Sequence, residues 1–219
     1  MLATEPYEPG GRGFASWPKT KWWWGGALAA HAGVFPVRLH RGKGLFFAEE
    51  TAAYADPLCR AELARADEGG HGREARRLVR HLAEAGPAAV EELKDELAFS
   101  AKELRALRTR LERLGAVVAM DLRVDAKSGG HRHTSELYRW DQISPVAPTG
   151  PGGLAELVVA GIRAAVVAPE REARSWFSWP AAEALLDELV EAGRLIRPAA
   201  GFVSAAETAF ERAPAARSL

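Results

Sequence analysis

Leu111-Glu-Arg-Leu-Gly115-Ala-Val-Val118 is the stretch that decides the fold, and Leu189-Val-Glu-Ala-Gly193-Arg-Leu-Ile196 repeats its pattern. In both stretches a leucine stands four residues before a glycine, and an apolar pair follows. Glycine closes the last carbonyls of a helix by adopting the left-handed conformation, so each stretch predicts a helix that runs directly into a short strand. The pattern recurs more weakly in Ala29-Ala-His-Ala-Gly33-Val34-Phe35, where alanine replaces leucine four residues before the glycine.

Residues 73–143 form the clearest unit around such a junction. Apolar stripes at helical spacing predict three helices, with Gly86-Pro87 ending the first and a capping box, Ser100 with Glu103, starting the third. The stripes are Ala75, Leu78, Val79 and Leu82, then Val90, Leu93 and Leu97, then Leu104, Leu107, Leu111 and Leu114. Period-two alternation predicts a strand over 118–124, and a return strand is predicted over 137–140 after a polar loop from 125 to 135. This order is typical of a winged helix-turn-helix.

The same pattern organises the rest of the chain. A second winged helix is predicted over 152–204, with helices over 154–162, 170–178 and 185–190 and a small wing at 195–196 and 202–203. Residues 17–66 resemble the back half of such a unit: a helix from Pro18 to about Ala32, strands over 34–40 and 45–49, and a further helix over 52–65. A linker follows over 67–72, and residues 1–16 and 205–219 are a predicted lead-in and tail. The predicted class is α+β, mostly α, with tandem winged helix-turn-helix units and short β-hairpin wings.

Composition excludes several classes of protein. The 219 residues contain no signal-peptide pattern and no apolar run near twenty residues, so we expect a cytoplasmic protein with no membrane partner. The single cysteine, Cys59, cannot form an internal disulfide and is predicted to be a small core residue. His131 and His133 have no cysteine cluster or third histidine at ligand spacing, and no phosphate-binding loop is present, so neither a metal nor a cofactor is expected.

Charge is distributed unevenly, although the formal net charge is zero. Residues 9–48 contain no Asp or Glu and six basic residues, which leaves the remainder of the chain acidic. In the middle unit, the face of the third helix opposite its leucine stripe is basic, and further cations lie at the predicted wing tip. Cations on both helix and wing are what phosphate neutralisation requires. The candidate DNA-binding residues are Lys19, Lys21, Arg38, Arg41, Lys43, Lys102, Arg105, Thr109, Arg113, Lys127 and Arg132. An ordinary solvated basic helix with internal ion pairs is the alternative.

Two further features have different interpretations. The third helix of the last unit has no Lys or Arg between Pro180 and Gly193, and its Glu183, Asp187, Glu188 and Glu191 predict a surface that repels phosphate. That unit is expected to support the fold or to contact a protein partner. Trp22, Trp23 and Trp24 cannot all face one core on a helix. They are predicted to fill an inter-domain core, or in part to stack on a base.

The segment Lys19-Thr-Lys-Trp-Trp-Trp24, the turn Arg41-Gly-Lys-Gly44 and the stretch Ser175-Trp-Phe-Ser-Trp179 resemble the AlkZ/YcaQ-type winged-helix DNA glycosylases. The resemblance covers roughly residues 17–204 and implies tandem winged helices that cradle duplex DNA. In the glycosylase members it also implies excision of alkylated or crosslinked bases. The catalytic motif of that family is a glutamine, one residue, and then glutamine or aspartate. Here the only glutamine, Gln142, is followed by Ile143-Ser144, so the motif is absent and no catalytic residue is assigned.

Three hypotheses follow from the sequence. The first is a non-enzymatic protein of DNA repair or maintenance that binds double-stranded DNA through phosphate contacts. The second is a DNA glycosylase with an altered active site, for which Asp121, Asp125 and Asp141 are the candidate carboxylates beside the wing. The third is a protein-interaction scaffold that uses winged helices without nucleic acid.

Overall fold

The computed structural model describes residues 10, 12, 21–125, 131–144, 152–179 and 182–208. Helices alternate with small antiparallel sheets along the chain, which confirms the predicted α+β class. Within these ranges no helix combines the length and the apolar character that crossing a bilayer requires. Apart from Gly10 and Arg12, the predicted lead-in over 1–16 lies outside the described residues, as does the predicted tail beyond residue 208.

The N-terminal unit is a helix followed by a two-stranded antiparallel hairpin. Its elements are α1 Lys21–Ala29, β1 Val34–Val37 and β2 Leu45–Ala48. Both strands are shorter than predicted. β1 ends before a turn in which Arg41 and Gly42 have φ values of 51° and 70°, and β2 ends because the next helix begins at Glu49. The helix ends at Ala29 rather than near Ala32, and its predicted start at Pro18 lies outside the described residues.

The long helix α2 spans Glu49–Glu68, so the predicted helix over 52–65 was too short and part of the predicted linker is helical. Pro57 lies inside α2 and has no N–H to donate to the carbonyl of Ala53. The chain returns to this turn much later. The N–H of Gly153 donates to the Tyr54 carbonyl at 2.8 Å, and a Cβ on Gly152 would lie 3.0 Å from the Ala53 carbonyl oxygen. The turn that contains the proline therefore holds the start of the C-terminal unit.

The middle unit carries most of the predicted pattern. Its elements are α3 Arg73–Ala85, β3 Ala88–Ala89, α4 Val90–Glu96, α5 Ala101–Leu114, β4 Val117–Asp125 and β5 His131–Arg139, followed by α6 Trp140–Ile143. The strands form one antiparallel sheet in the order β3-β5-β4. Leu78, Leu93 and Leu111 of the three predicted stripes are fully buried. The predicted polar loop over 125–135 was wrong at its end, because β5 already begins at His131 and pairs with β4 out to Asp125.

The C-terminal unit repeats this order of elements. It contains α7 Leu154–Ala165, β6 Ala168–Pro169, α8 Glu170–Ala173, α9 Ala182–Glu191, β7 Leu195–Ala199 and β8 Phe202–Ala205, with the sheet order β6-β8-β7. The predicted helix over 170–178 was wrong, since α8 ends at Ala173. Residues 174–179 form turns that bury Trp176, Phe177 and Trp179.

Glycine ends α5 and α9 in the same way, as the sequence predicts. Gly115 has a φ of 76°, and the next N–H, of Ala116, donates to the Leu111 carbonyl at 3.1 Å. Gly193 has a φ of 69°, and the N–H of Arg194 donates to the Leu189 carbonyl at 2.9 Å. Each helix therefore passes directly into a strand. The third junction differs, because α1 has already ended four residues before Gly33.

A buried polar cluster joins α2 to the end of the middle unit. Asp56 is 2% exposed. Its carboxylate accepts hydrogen bonds from Trp140 Nε1 at 2.8 Å, Ser144 Oγ at 2.9 Å and Arg60 Nε at 2.7 Å. Nearby, Cys59 is fully buried and burial raises the pKa of its thiol, so it is the core residue that the sequence predicts. One continuous buried cluster includes residues of all three units.

Candidate nucleic-acid interface

The outer face of α5 carries the predicted row of cations. Lys102, Arg105 and Arg113 are exposed there. On the other side of the helix Leu104, Leu107 and Leu111 are buried, and Leu114 is half-buried. Successive members lie three, four and four residues apart when Thr109 is included, so their side chains share one face. In the described part of the chain no carboxylate lies within ion-pair distance of these three cations. We call Lys102, Arg105 and Arg113 the α5 row.

Thr109 lies in the middle of this face but is already engaged as a donor. Its hydroxyl donates to the carbonyl of Arg105 at 2.8 Å. A hydroxyl has only one hydrogen to donate, so in this rotamer Thr109 can accept a hydrogen bond but cannot give one to a phosphate.

Arg38 points to a carboxylate rather than to open solvent. Its Nε lies 3.0 Å from Glu112 Oε2, and Arg108 Nε lies 3.0 Å from the other oxygen, Oε1. Glu112 is 4% exposed, and burial raises the pKa of its carboxyl group while the two arginines, Arg108 and then Arg38, lower it. Half of the Arg38 side chain remains exposed, so the ion pair engages this predicted phosphate ligand without hiding it.

Arg41 is held by the C-terminal unit. Its guanidinium donates to Glu172 Oε2 at 3.2 Å and to Ser175 Oγ at 2.8 Å, and its backbone N–H donates to the Trp176 carbonyl at 2.9 Å. The ring of His40 stacks on Trp176 with the centroids 5.2 Å apart. Burial and the neighbouring Arg41 lower the pKa of His40, and Glu172 acts in the opposite direction. The turn of the hairpin therefore docks onto residues 172–176.

The next two residues of the turn bring the hairpin to the α5 row. A Cβ on Gly42 would lie 3.4 Å from Arg113 Cγ and Cδ, so the turn packs against this side chain. Lys43 follows directly and is exposed, and no ion pair involves it among the described residues. Lys43 therefore directly follows a residue that packs against the end of the α5 row. The sequence does not show this approach of the hairpin to the middle unit.

The remaining predicted DNA contacts cannot be placed. Lys19 and Lys127 lie outside the described residues. Lys21 is described only as part of α1 and Arg132 only as part of β5, without their side chains. The same holds for the side chains of Trp22, Trp23 and Trp24 and for those of His131 and His133.

A cavity of about 340 Å³ lies between α5 and the C-terminal unit. Its lining is Ala106, Thr109, Arg110, Arg113, Leu114 and Ser178. Arg110 flanks the predicted basic face, and one of its nitrogens donates to the His71 carbonyl at 2.6 Å. Nothing in the sequence points to Ser178, because it reaches this helix only through the turns after α8.

The carboxylates considered for glycosidic hydrolysis have different surroundings. Asp141 accepts hydrogen bonds from Arg139 at 2.9 and 2.7 Å, and this pairing lowers the pKa of its carboxyl group. Both ends of the Gln142 amide are used, since Nε2 donates to the Leu82 carbonyl and Oε1 accepts from the Arg139 N–H. Asp121 is exposed and lines a groove of about 680 Å³ between the N-terminal hairpin and β4. The side chain of Asp125 lies outside the described ones.

The predicted acidic surface of α9 is partly neutralised by neighbouring elements. Asp187 accepts hydrogen bonds from Arg174 at 2.9 Å and from Arg197. Both arginines also bind Glu170, and they lower its pKa to about 2. Asp187 is exposed as predicted, but its charge is paired, because the two cations come from outside the segment between Pro180 and Gly193. Glu188 and Glu191 remain exposed, and the side chain of Glu183 is not among those described.

No cluster of three or more potential metal-ligating side chains occurs in the described ranges. Comparison with family models, with curated proteins and with solved structures gave no match.

Proposed function

We propose that this protein binds double-stranded DNA through its phosphate backbone, with the outer face of α5 and the tip of the N-terminal hairpin as the contact surface. The middle and C-terminal units would act as winged helices. Their shared order of helix, short strand, two helices and two longer strands supports this interpretation. In such a unit the third helix enters the major groove, and in the middle unit that helix is α5.

The α5 row carries the proposal. Three exposed cations on one face, without carboxylate partners in the described part of the chain, are free to neutralise phosphates. Lys43 would add a further cation near the Arg113 end, since the preceding residue, Gly42, packs against Arg113. A merely solvated basic helix would be expected to pair its cations locally, as Arg108 does with Glu112. Lys102, Arg105 and Arg113 have no such pair among the residues that the structure describes.

A role in DNA repair or maintenance is part of the proposal, and it rests on the resemblance to the AlkZ/YcaQ-type glycosylases. A glycosylase with an altered active site is a second candidate, favoured by one observation: Asp121 lines the larger groove. Asp141 is a poor base because Arg139 holds its carboxylate. The glycosylase hypothesis is supported if the unmodified protein releases bases from alkylated duplex and Asp121→Asn does not. It is contradicted if the unmodified protein releases no bases.

A salt titration of duplex binding tests the proposal. The variant replaces Lys102, Arg105 and Arg113 with glutamine. We expect weaker binding and a plot of log affinity against log salt that is flatter by about three units, because each phosphate contact contributes about one. The control replaces Arg65, Arg163 and Arg171, which are exposed cations on α2, α7 and α8, with glutamine and so makes the same change in net charge.

Equal slopes for the two variants would contradict the proposed surface. Absence of duplex binding even at low salt would contradict DNA binding itself and would favour a protein-interaction scaffold.

A further inference from the structure

We propose that the groove between the N-terminal hairpin and β4 binds an extended segment of a partner polypeptide, which joins the sheet as a strand beside β4. The groove has a volume of about 680 Å³, and five consecutive residues of β4, from Val117 to Asp121, line one side of it. Successive residues of a strand point to opposite faces of a sheet. A groove that five consecutive residues line therefore runs along the edge of β4. This peptide site is separate from the α5 row.

The edge of β4 in this groove has no strand paired with it. In the sheet order β3-β5-β4, β4 is an outer strand, and within the described ranges only β5 pairs with it. The opposite wall of the groove includes residues of β1 and β2, which pair with each other. No backbone hydrogen bond joins β1 to β4 among the described residues. An unpaired strand edge presents a row of N–H and C=O groups to which another strand can bond.

The hydrogen-bond pattern shows which groups this edge presents. The Trp140 N–H donates to the Ala116 carbonyl at 3.2 Å, and the register with β5 then continues without a shift. By the alternation of an antiparallel ladder, the even-numbered residues of β4 bond to β5. The N–H and C=O groups of the odd-numbered residues point to the free edge. Val117 is 1% exposed, Ala119 is half-buried and Asp121 is exposed, so the accessible part of the edge is at Ala119 and Asp121.

The backbone chemistry of the edge identifies the class of ligand. Donors and acceptors recur along it every second residue, at about 6.6 Å, which is the repeat of an extended polypeptide. A phosphate backbone supplies acceptors for the N–H groups but no donors for the C=O groups, so it fits this edge less well than a peptide does. The lining part of β4 is about 13 Å long. A peptide segment of about five residues matches that length.

The side chains of the groove indicate the composition of the segment. Leu45 and Phe46 line the wall and are 37% and 41% exposed, so a ligand that covers them removes apolar surface from water. Among the charged residues of the lining, Arg38 lies 3.0 Å from Glu112, whereas Asp121 has no ion pair in the described part of the chain. The unmatched charge of the groove is therefore negative. We infer that the segment alternates apolar and basic residues.

The first test follows amide hydrogen exchange in the full chain by nuclear magnetic resonance. The probe is the peptide Lys-Val-Lys-Val-Lys-Val, acetylated and amidated at its ends. In the free protein we expect the N–H groups of Ala119 and Asp121 to exchange faster than those of Val118 and Met120, which bond to β5. Peptide at about ten times its dissociation constant should slow exchange at Ala119 and Asp121 about tenfold.

Two modified peptides test pairing through the backbone. One carries N-methyl groups on its three lysines, and the other carries them on its three valines. Alternate residues of a strand direct their N–H groups to opposite edges, so only one of the two sets faces β4. We expect one modified peptide to bind at least about tenfold more weakly than the probe and the other to bind within about twofold of it. Each peptide serves as the control for the other.

Two variants test the side chains of the groove. Phe46→Ser should weaken peptide binding about tenfold, because less apolar surface is covered. Asp121→Lys should weaken binding of the lysine peptide about fivefold, since it replaces an attraction by a repulsion. Glu188→Lys is the matched control, because it makes the same change in net charge at an exposed residue of α9, outside the groove lining.

The outcomes separate this site from DNA binding. Unchanged exchange at Ala119 and Asp121 with about 1 mM peptide would overturn the peptide site. Equal binding of the two methylated peptides would also overturn it. Protection of these two N–H groups that grows with protein concentration, without peptide, would show that a second copy of the chain pairs with the edge and would overturn the peptide site as well. None of these results affects the salt titration of the α5-row variant, which tests DNA binding by itself.

Discussion

At Gly115 the chain turns from α5 into β4 directly against the buried thiol of Cys59. A Cβ at this position would lie 2.2 Å from Cys59 Sγ and 3.0 Å from Leu39 Cδ2. Gly193 occupies the equivalent position after α9 with nearly the same φ, yet nothing lies within 4 Å of its would-be Cβ. A side chain at Gly193 would therefore meet backbone strain alone, whereas one at Gly115 would meet both backbone strain and steric overlap.

Gly115→Ala should destabilise the protein far more than Gly193→Ala. The left-handed conformation costs alanine about 1–2 kcal/mol at either position, and overlap with the core adds about 1–3 kcal/mol at Gly115 alone. Urea unfolding of both variants measures the difference. Equal losses of unfolding free energy in the two variants would contradict the close contact between α2 and the end of α5.

Glu112 predicts a pH dependence of stability. Burial raises the pKa of its carboxyl group above 4.5, so the folded protein keeps this proton at a pH where the unfolded chain has lost it. The contribution of Glu112 to stability therefore falls as pH rises from about 4.5 through the raised pKa. Glu112→Gln removes this titration. We expect the unfolding free energy of the unmodified protein minus that of the variant to decrease between pH 4 and 8. An increase over that range would contradict the prediction.

At the scale of the element, α5 depends on its capping box. Ser100 N–H donates to Glu103 Oε2 at 2.9 Å, and Glu103 N–H donates to Ser100 Oγ at 3.2 Å. Ser100→Ala should lower the unfolding free energy by about 1 kcal/mol, because it leaves a first-turn N–H without its acceptor. Ser100→Asp restores an acceptor and should recover most of the loss in thermal or urea unfolding. A Ser100→Ala protein as stable as the unmodified one would show that the tertiary contacts of α5 make the cap redundant.

Elements with local signals were predictable from the sequence, and those shaped by distant contacts were not. The capping box and the leucine stripe of α5 depend on residues within one or two turns. The capping box is confirmed, and so is the burial of Leu104, Leu107 and Leu111. The start of β5 was missed because His131, His133 and Ser135 show no apolar alternation, although their backbone pairs with β4. The turns after α8 were missed because their conformation depends on the burial of their aromatic rings in the folded protein.

The same division applies to the candidate site. Helical periodicity was enough to predict the α5 row. The partners of Arg38 and Arg41 are Glu112 and Glu172, which stand far along the chain and meet them only in the folded protein. Ser178 could not be predicted at all, since its place opposite Arg113 depends on how the C-terminal unit docks.

At the scale of the whole molecule, the turn of the N-terminal hairpin joins the other two units. Gly42 packs on Arg113 of the middle unit, and Arg41 binds Glu172 and Ser175 of the C-terminal unit. The backbone of Arg41 has a positive φ of 51°, a conformation that non-glycine residues rarely adopt. The contacts of its side chain help to offset this strain.

Arg41→Gln should loosen the docking of the C-terminal unit without unfolding the middle one. The ion pair is partly exposed, so with the hydrogen bond to Ser175 we expect a loss of about 1 kcal/mol. Hydrogen exchange should accelerate at residues 172–179 and stay unchanged in α4. Lys43→Gln is the control, because it alters the same turn at a side chain without an ion pair among the described residues. Equal effects of the two changes would contradict the role of Arg41.

The proline turn of α2 has a consequence for protein engineering. Ser144 is anchored to Asp56, and Gly153 is anchored to Tyr54, so neighbouring residues of one helix fix both ends of the connection between them. Lengthening a connection with fixed ends costs only closure entropy, about 0.6 kcal/mol for each doubling of its length. We therefore expect this connection to accept an inserted reporter domain or epitope without a change in how the middle and C-terminal units contact α2.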